Sequence, residues 1–125
     1  MSSLWVSFAG DSDRAVVRES ARRFLDGWLT PGLVEETLTV IGELVTDVLR
    51  HAGSGELVLS RRDSTVLVEV LDRFSAGDGR PPVVPAHACG WGAHPAGAGQ
   101  VVWVEMPLAE PGRQQGDGVG VGSGG

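Results

Sequence analysis

The segments GELVLSRRD (55–63) and STVLVEVLD (64–72) constrain the fold more than any other part of this sequence. In both, β-branched and other apolar residues alternate with polar ones, which is typical of a strand with one buried face and one exposed face. The step Asp63-Ser64 lies between the two segments and favours a tight turn. The pattern therefore predicts an antiparallel hairpin.

Two amphipathic segments precede this hairpin, and we expect them to cover its apolar face. Residues 11–29 carry apolar side chains at three- and four-residue spacings, with Asp11 or Ser12 as the N-cap. Residues 30–53 begin with Thr30 as N-cap and end at a glycine. The second segment also has a stripe of core residues spaced as on one helix face, namely Val34, Leu38, Ile41, Val45 and Leu49.

Further strands are predicted at residues 5–8 and 100–108, where short apolar runs end at Gly10 and at Pro107. Two helices between the first strand and the later strands are typical of a layered arrangement. The sequence therefore predicts an α/β fold, a two-layer sandwich in which a mostly antiparallel sheet carries helices on one face.

The stretch between the hairpin and the last strand, residues 73–100, has six glycines and four prolines among 28 residues. Such a composition excludes a helix of useful length, so we expect a long loop. The chain is long enough for one modest core. We therefore predict a single domain over residues 1–108 and a disordered glycine-rich tail over residues 109–125.

Charge and composition exclude several classes of function. The net charge of −6 argues against nucleic acid as a partner, because affinity for phosphates depends on clustered basic residues. No apolar run approaches the length of a membrane span, and we expect a cytoplasmic protein that does not bind a membrane. A single cysteine, Cys89, excludes an internal disulfide within this sequence.

Polar residues recur at every fourth position of ELVTDVLRHAG (43–53), where Glu43, Asp47 and His51 would span about 80° of helix surface. Two carboxylates and an imidazole on one face are able to hold a divalent cation, and a carboxylate is able to activate water. A solvated stripe with contacts between residues four apart explains the same pattern. The spacing alone leaves both interpretations open.

The same stretch resembles the N box of the GHKL, or histidine-kinase-like, ATPase superfamily, in the form found in small anti-sigma-factor serine kinases of actinobacteria. Three further segments match that family in order. ARRFLDGWL is similar to its first helix, VLVEVLD to its strand ending in the G1 aspartate, and GQVVWVEMPL to its last strand. The resemblance covers residues 5–108 and implies a Bergerat-type fold.

The resemblance also implies roles for particular residues. Glu43 matches the catalytic or water-orienting carboxylate, and Asp47 matches the asparagine that binds Mg²⁺. Asp72 matches the carboxylate that reads the adenine amino group, and His51 matches the position that closes the box. ATP and Mg²⁺ are therefore the cofactors that the family implies.

Departures from the family pattern indicate that ATP use is impaired. Aspartate replaces asparagine at Asp47, and Phe74 stands where the family has a glycine that lets the backbone approach the nucleotide. The lid, the G2 box and the helix that normally follow are deleted from residues 73–100. Loss of this helix would uncover apolar sheet surface, which we expect Trp91, Val83 and Val84 or a partner chain to cover.

Three functions remain open. The first is a regulator of anti-sigma-factor type with a degenerate GHKL fold, which acts by protein contact. The partners open to it are a sigma factor, an anti-sigma-factor antagonist and a second copy of the chain in a homodimer. The second is an active ATP-dependent protein serine kinase, in which Arg73 or Arg80 faces phosphate. The third is a pocket that binds another small ligand or a metal and is lined by Glu43, Asp47, His51, Asp72, His87 and His94.

Overall fold

A computed structural model of the chain describes residues 2–72 and 85–110. These residues form an antiparallel sheet in the strand order β1-β2-β3-β5-β4, with two α-helices against it. The α/β class and the two-layer arrangement are therefore confirmed. The elements are β1 (Ser3–Ala9), α1 (Arg14–Asp26), α2 (Pro31–His51), β2 (Ser54–Arg61), β3 (Thr65–Asp72), β4 (Gly90–Ala96) and β5 (Gly99–Pro107).

The predicted hairpin is present as β2 and β3, which pair antiparallel from Gly55 and Asp72 to Arg61 and Val66. The turn is closed by the Arg62 N–H, which donates to the Thr65 carbonyl at 2.8 Å. One face of both strands is buried against the helices. Successive side chains of a strand point to opposite faces of the sheet, so the large apolar residues at every second position all point to the helices. Those buried residues are Leu57, Leu59, Val66, Val68 and Val70.

Helix α2 lies over β2, β3 and β5, whereas α1 lies over β1 and β2. The predicted core stripe of α2 is confirmed at Val34, Leu38, Ile41 and Val45, which are all buried. The two helices are also joined by an ion pair in which Arg22 Nη1 lies 2.8 Å from Glu35 Oε2. The hydrogen bond from Arg22 lowers the pKa of the Glu35 carboxyl.

The predicted start of α1 is corrected, whereas Thr30 is confirmed at the N-cap position of α2, without a side-chain cap. Asp11 and Ser12 belong to a 3-10 turn, and α1 begins only at Arg14. The Asp13 carboxylate accepts a hydrogen bond from the Ala9 N–H at 2.7 Å and makes no cap to α1. Thr30 precedes α2 in an extended conformation, but its hydroxyl donates to Glu110 instead of capping the helix. Tertiary partners therefore replace the expected local caps.

The expectation of a structureless loop through residue 100 is wrong at its C-terminal end, where β4 pairs along β5. The glycines of this strand leave room for a neighbouring indole, since a Cβ built on Gly92 would lie 3.0 Å from the Trp103 ring. Gly97 turns the chain from β4 into β5 with a φ of 60°, a conformation that glycine adopts without strain. The strand is thus specified mainly by its partner.

The segment just before β4 packs beside α2. The backbone N–H of His87 donates to Glu36 Oε2 at 2.8 Å, and His87 Nδ1 lies 2.7 Å from Glu36 Oε1. Ala88 packs against the core, and the Cys89 N–H donates to the Glu105 carbonyl. This segment therefore contacts both α2 and β5. Residues 73–84, which include Val83 and Val84, lie outside the described part, as do residues 111–125 of the predicted tail.

Candidate functional site

The predicted polar stripe lies on the C-terminal half of α2. Glu43 and His51 are exposed, and Asp47 is partly exposed. His51 Nδ1 is 3.3 Å from Asp47 Oδ1 and 2.9 Å from the Asp47 carbonyl oxygen. These are contacts between residues four apart on one helix, of the kind that a solvated stripe makes.

The His51 imidazole also lies in the last turn of α2, which is followed by Gly53 with a φ of 83°. Carbonyl groups without helical partners concentrate partial negative charge at a helix C-terminus. Histidine side chains near a helix C-terminus are able to hydrogen-bond the last carbonyl groups, as His51 does with the Asp47 carbonyl oxygen. The local geometry is therefore sufficient to explain both the histidine and the acid before it.

Asp72 differs from the stripe because its side chain is buried, with an exposed fraction of 7%. It lies at the end of β3, between Gly55 on β2 and Gln100 on β5. Gly55 is required in this corner, since a Cβ there would lie 2.5 Å from the Leu71 carbonyl oxygen and 2.8 Å from Val48 Cγ1. The corner is thus closely packed around a buried carboxyl group.

The fold places the motif residues at one end of the sheet. Helix α2 ends at His51, β2 begins three residues later, and β3 ends at Asp72 opposite the start of β2. Proximity of element ends does not make a shared binding site, however. Within residues 2–72 and 85–110, no group of three or more His, Cys, Asp or Glu side chains is placed to hold a metal ion.

The remaining histidines lie elsewhere. His87 is held by Glu36, toward the N-terminal half of α2, and His94 lies exposed on the edge strand β4, with Nδ1 3.2 Å from the Pro95 carbonyl oxygen. The structure therefore does not bring His87 and His94 together with the α2 stripe. Phe74, Arg73 and Arg80, which the sequence analysis also considered, fall outside the described residues.

Two features of the described residues were not predicted from the sequence. The first is the contact between His87 and Glu36, residues that are far apart in the chain and follow no shared motif. The second is an open cleft of about 310 Å³ at the end of β1 and the start of β2. Residues that line the cleft include Ser7, Asp13 and Glu56, and none of the motif residues lines it.

The sequence was also compared with known proteins. A scan against models of protein families finds no match, and a search of curated proteins finds no similar sequence. No helix among the described residues is long and apolar enough to cross a membrane. The GHKL resemblance therefore depends on the motifs quoted above and on the order of the elements that carry them.

Proposed function

We propose that this chain is a regulatory protein of the anti-sigma-factor type, with a degenerate GHKL fold that has lost efficient ATP use and acts by protein contact. The observation that supports this proposal most is the solvent exposure of the polar stripe on α2. Glu43, Asp47 and His51 face solvent, and no third acidic or histidine side chain joins Asp47 and His51 in a metal site among the described residues. Solvent-facing acids suit a contact surface better than a phosphoryl-transfer centre, which needs positioned and partly desolvated groups.

The elements around the stripe support the same proposal. Phosphate groups bind well at a helix N-terminus, where backbone N–H groups are free. Between β3 and β5 the described residues form the strand β4 and the segment Pro85–Cys89, and no helix. The described part of that region therefore offers no helix N-terminus to a triphosphate.

The partner we propose is a sigma factor or an anti-sigma-factor antagonist, as the family resemblance implies. The chain carries an excess of acidic over basic residues, with 16 Asp and Glu against 10 Arg. A partner that presents basic side chains would associate faster with such a surface and would do so less well at high salt. Salt dependence of the association is thus an expected property of the complex.

One observation favours the alternative, an active ATP-dependent serine kinase. Asp72 is buried at the same end of the sheet as the stripe, as a carboxylate that reads adenine would be. In that function Glu43 would act as general base, Asp47 would bind Mg²⁺ and Asp72 would accept a hydrogen bond from the adenine amino group. A pocket for another small ligand would use the same corner without the metal.

Calorimetric titration with ADP and ATP, with and without Mg²⁺, distinguishes these functions. We expect no measurable heat from the folded protein at millimolar nucleotide. Nucleotide binding that is lost in Asp72→Asn and kept in Asp63→Asn, an exposed aspartate in the hairpin turn, would refute the proposal and favour the kinase. Circular dichroism of each variant shows that the fold is retained, so that loss of binding is not loss of structure.

A further inference from the structure

Three arginines of α1 form a row along the flank that faces α2. Arg14, Arg18 and Arg22 are spaced four residues apart, so their side chains lie on one side of the helix. The chain as a whole is acidic, with a net charge of −6. A row of positive charges on such a protein marks a place where a negatively charged group is favoured.

The two outer arginines of this row have partners on α2. Arg22 Nη1 lies 2.8 Å from Glu35 Oε2, in the N-terminal part of α2. Arg14 Nη1 donates to the Thr46 hydroxyl, in the C-terminal part of α2, and Arg14 Nε lies 3.1 Å from Asp11 Oδ1. The two helices therefore run in opposite directions along the row, with one polar contact at each end.

Arg18, in the middle of the row, faces a glycine. On α2, Gly42 lies between Glu35 and Thr46 in sequence and within about 40° of both around the helix. The contact that Arg18 makes is a longer one, with Nη2 3.7 Å from Glu35 Oε1, and Arg22 already binds this carboxylate. The Arg18 side chain is 53% exposed. One carboxylate thus serves two guanidinium groups, and an excess of positive charge remains at the middle of the row.

Gly42 leaves the space beside Arg18 open. A Cβ built at this position meets no atom within 4 Å, so close packing of the helices does not require a glycine there. Glycine in the interior of a helix is less favourable than alanine, because it gains no side-chain contact and loses more backbone entropy. A glycine that weakens its helix and makes no tight contact indicates that the space itself is needed.

This space is a groove of about 110 Å³ between the two helices. Arg14 and Arg18 form its rim, where their aliphatic stems add apolar surface and their charged ends stay in water. An apolar cavity of about 150 Å³ is able to hold benzene, so a groove of this size suits roughly four or five carbon atoms. The floor consists of buried apolar side chains from both helices, namely Val17, Leu38, Ile41 and Val45.

We propose that this groove binds a small monocarboxylate with a branched aliphatic tail. The carboxylate lies at Arg18, whose planar guanidinium is able to bind both oxygens, and the tail passes over Gly42 onto the apolar floor. An inorganic anion has no apolar part for the floor, and an aliphatic amine is repelled by the arginines. The inference does not depend on the proposed function, because none of the residues of the polar stripe on α2 lines the groove.

Titration of the ¹⁵N-labelled protein with 4-methylpentanoate at pH 7, followed by NMR, tests the proposal. We expect saturable shifts of the backbone amide signals around the groove, with a dissociation constant in the millimolar range because so few atoms make contact. 4-Methylpentanamide has the same tail without the charge, and acetate has the charge without the tail. Both should bind at least about fivefold more weakly than 4-methylpentanoate.

Substitutions of Gly42 test whether the open space is the site of binding. Gly42→Leu covers the floor and should abolish binding. Gly42→Ala should weaken binding by about threefold or more and yet raise the midpoint of urea unfolding, because alanine is the better helix former and its Cβ meets open space. Gly90→Ala, the same change on the edge strand β4, is the matched control and should leave the affinity unchanged.

Substitution of Arg18 tests the position of the carboxylate. Arg18→Gln should weaken the binding of 4-methylpentanoate by about fivefold or more and leave the weak binding of the neutral amide unchanged. Arg23→Gln is the control on the same helix, because Arg23 pairs with Glu19 at 3.2 Å and does not line the groove. An absence of saturable shifts at tens of millimolar ligand, or binding that either Gly42→Leu or Arg18→Gln leaves intact, would overturn the proposal.

Discussion

The two edge strands of the sheet are anchored from opposite faces. On β1, the side chains of Leu4, Val6 and Phe8 point to the helices, and Phe8 is only 2% exposed. On β4, Gly90 and Gly92 lie beside Trp103, whose indole is on the face away from the helices. One edge is thus held by its own side chains, and the other is held by a side chain of its neighbour.

This difference shows how an edge strand is able to be stable without being a good template for pairing with another chain. A strand that anchors itself needs apolar residues, and those residues also make it a good template for another strand. A strand such as β4, which has two glycines and a proline and no β-branched residue, does not anchor itself, and its proline makes it a poor template for a further chain. The two edges of this sheet therefore differ in the source of their stability and in their capacity to associate.

Phe8→Ala tests the anchoring of β1 and has the largest expected effect. Removal of a buried phenylalanine side chain leaves a cavity and typically costs about 3–5 kcal/mol of unfolding free energy. We expect a loss in this range in urea denaturation. Ser7→Ala, an exposed position on the same strand, should change stability by less than about 0.5 kcal/mol. Equal effects of both changes would show that β1 is not anchored by its side chains.

Trp103→Ala tests the anchoring of β4. Since the indole is only partly buried, we expect a smaller loss of unfolding free energy, of about 2 kcal/mol. The loss should be local, so amide hydrogen exchange should become faster in β4 than in β1. Trp91→Ala on β4 itself serves as control. Uniform acceleration across the sheet would contradict a local role for the indole.

The contrast between the edges also explains what the sequence could predict. β1, β2, β3 and β5 have apolar residues at the positions that face the helices, and all four were predicted from this local pattern. GWGAHPA, the sequence of β4, has no β-branched residue and carries two glycines and a proline. Its strand conformation depends on pairing with β5 and on Trp103, which no periodicity within the segment reveals.

The candidate site also has some features that local patterns predict and others that depend on tertiary packing. Helical periodicity was sufficient to place Glu43, Asp47 and His51 on one stripe, and Asp72 was correctly predicted as a strand-ending residue. The contact between His87 and Glu36 was not predictable, because it depends on how a glycine- and proline-rich segment returns to α2. Local patterns therefore specified the positions along the helix, and tertiary packing specified the partners. ATP use and the anti-sigma role stay predictions.

Gly92→Ala and Gly90→Ala sharpen the account of β4 as a matched pair. A Cβ on Gly92 would lie 3.0 Å from Trp103 Nε1, whereas a Cβ on Gly90 would meet the ring at 3.6 Å, an ordinary contact. We expect Gly92→Ala to lower the unfolding free energy by about 1 kcal/mol. Gly90→Ala should be neutral or stabilising by a few tenths, since alanine reduces the entropy of the unfolded chain.

A double-mutant cycle identifies the cause of the Gly92 effect. Once Trp103→Ala has removed the indole, Gly92→Ala should cost no more than Gly90→Ala. A penalty that persists without the indole would assign it to the backbone conformation of β4. In that case Trp103 would not be the reason why glycine is needed at this position.

The smallest expected effect concerns carboxylates near the two edges. At β1 the Asp13 carboxylate satisfies an outward N–H, whereas at β4 the Glu105 carboxylate lies near the Cys89 thiol. Partial loss of hydration, with a smaller contribution from Glu105, raises the pKa of Cys89 above its ordinary value. Because only the thiolate is nucleophilic, alkylation by iodoacetamide at pH 8 should be slower in the folded protein than in urea.

Glu105→Gln separates the two causes of this slow reaction. Removal of the negative charge should lower the pKa of the thiol slightly and raise the alkylation rate by less than about twofold, since hydration is the larger cause. Thr65→Val removes the hydroxyl that donates to Glu105 at 2.6 Å and keeps the charge, so it serves as the matched control. A large acceleration in Glu105→Gln alone would mean that the carboxylate controls the thiol. A large acceleration in both variants would instead indicate that β4 has separated from β5, because loosening of the strand restores the hydration of Cys89 whatever the charge at position 105.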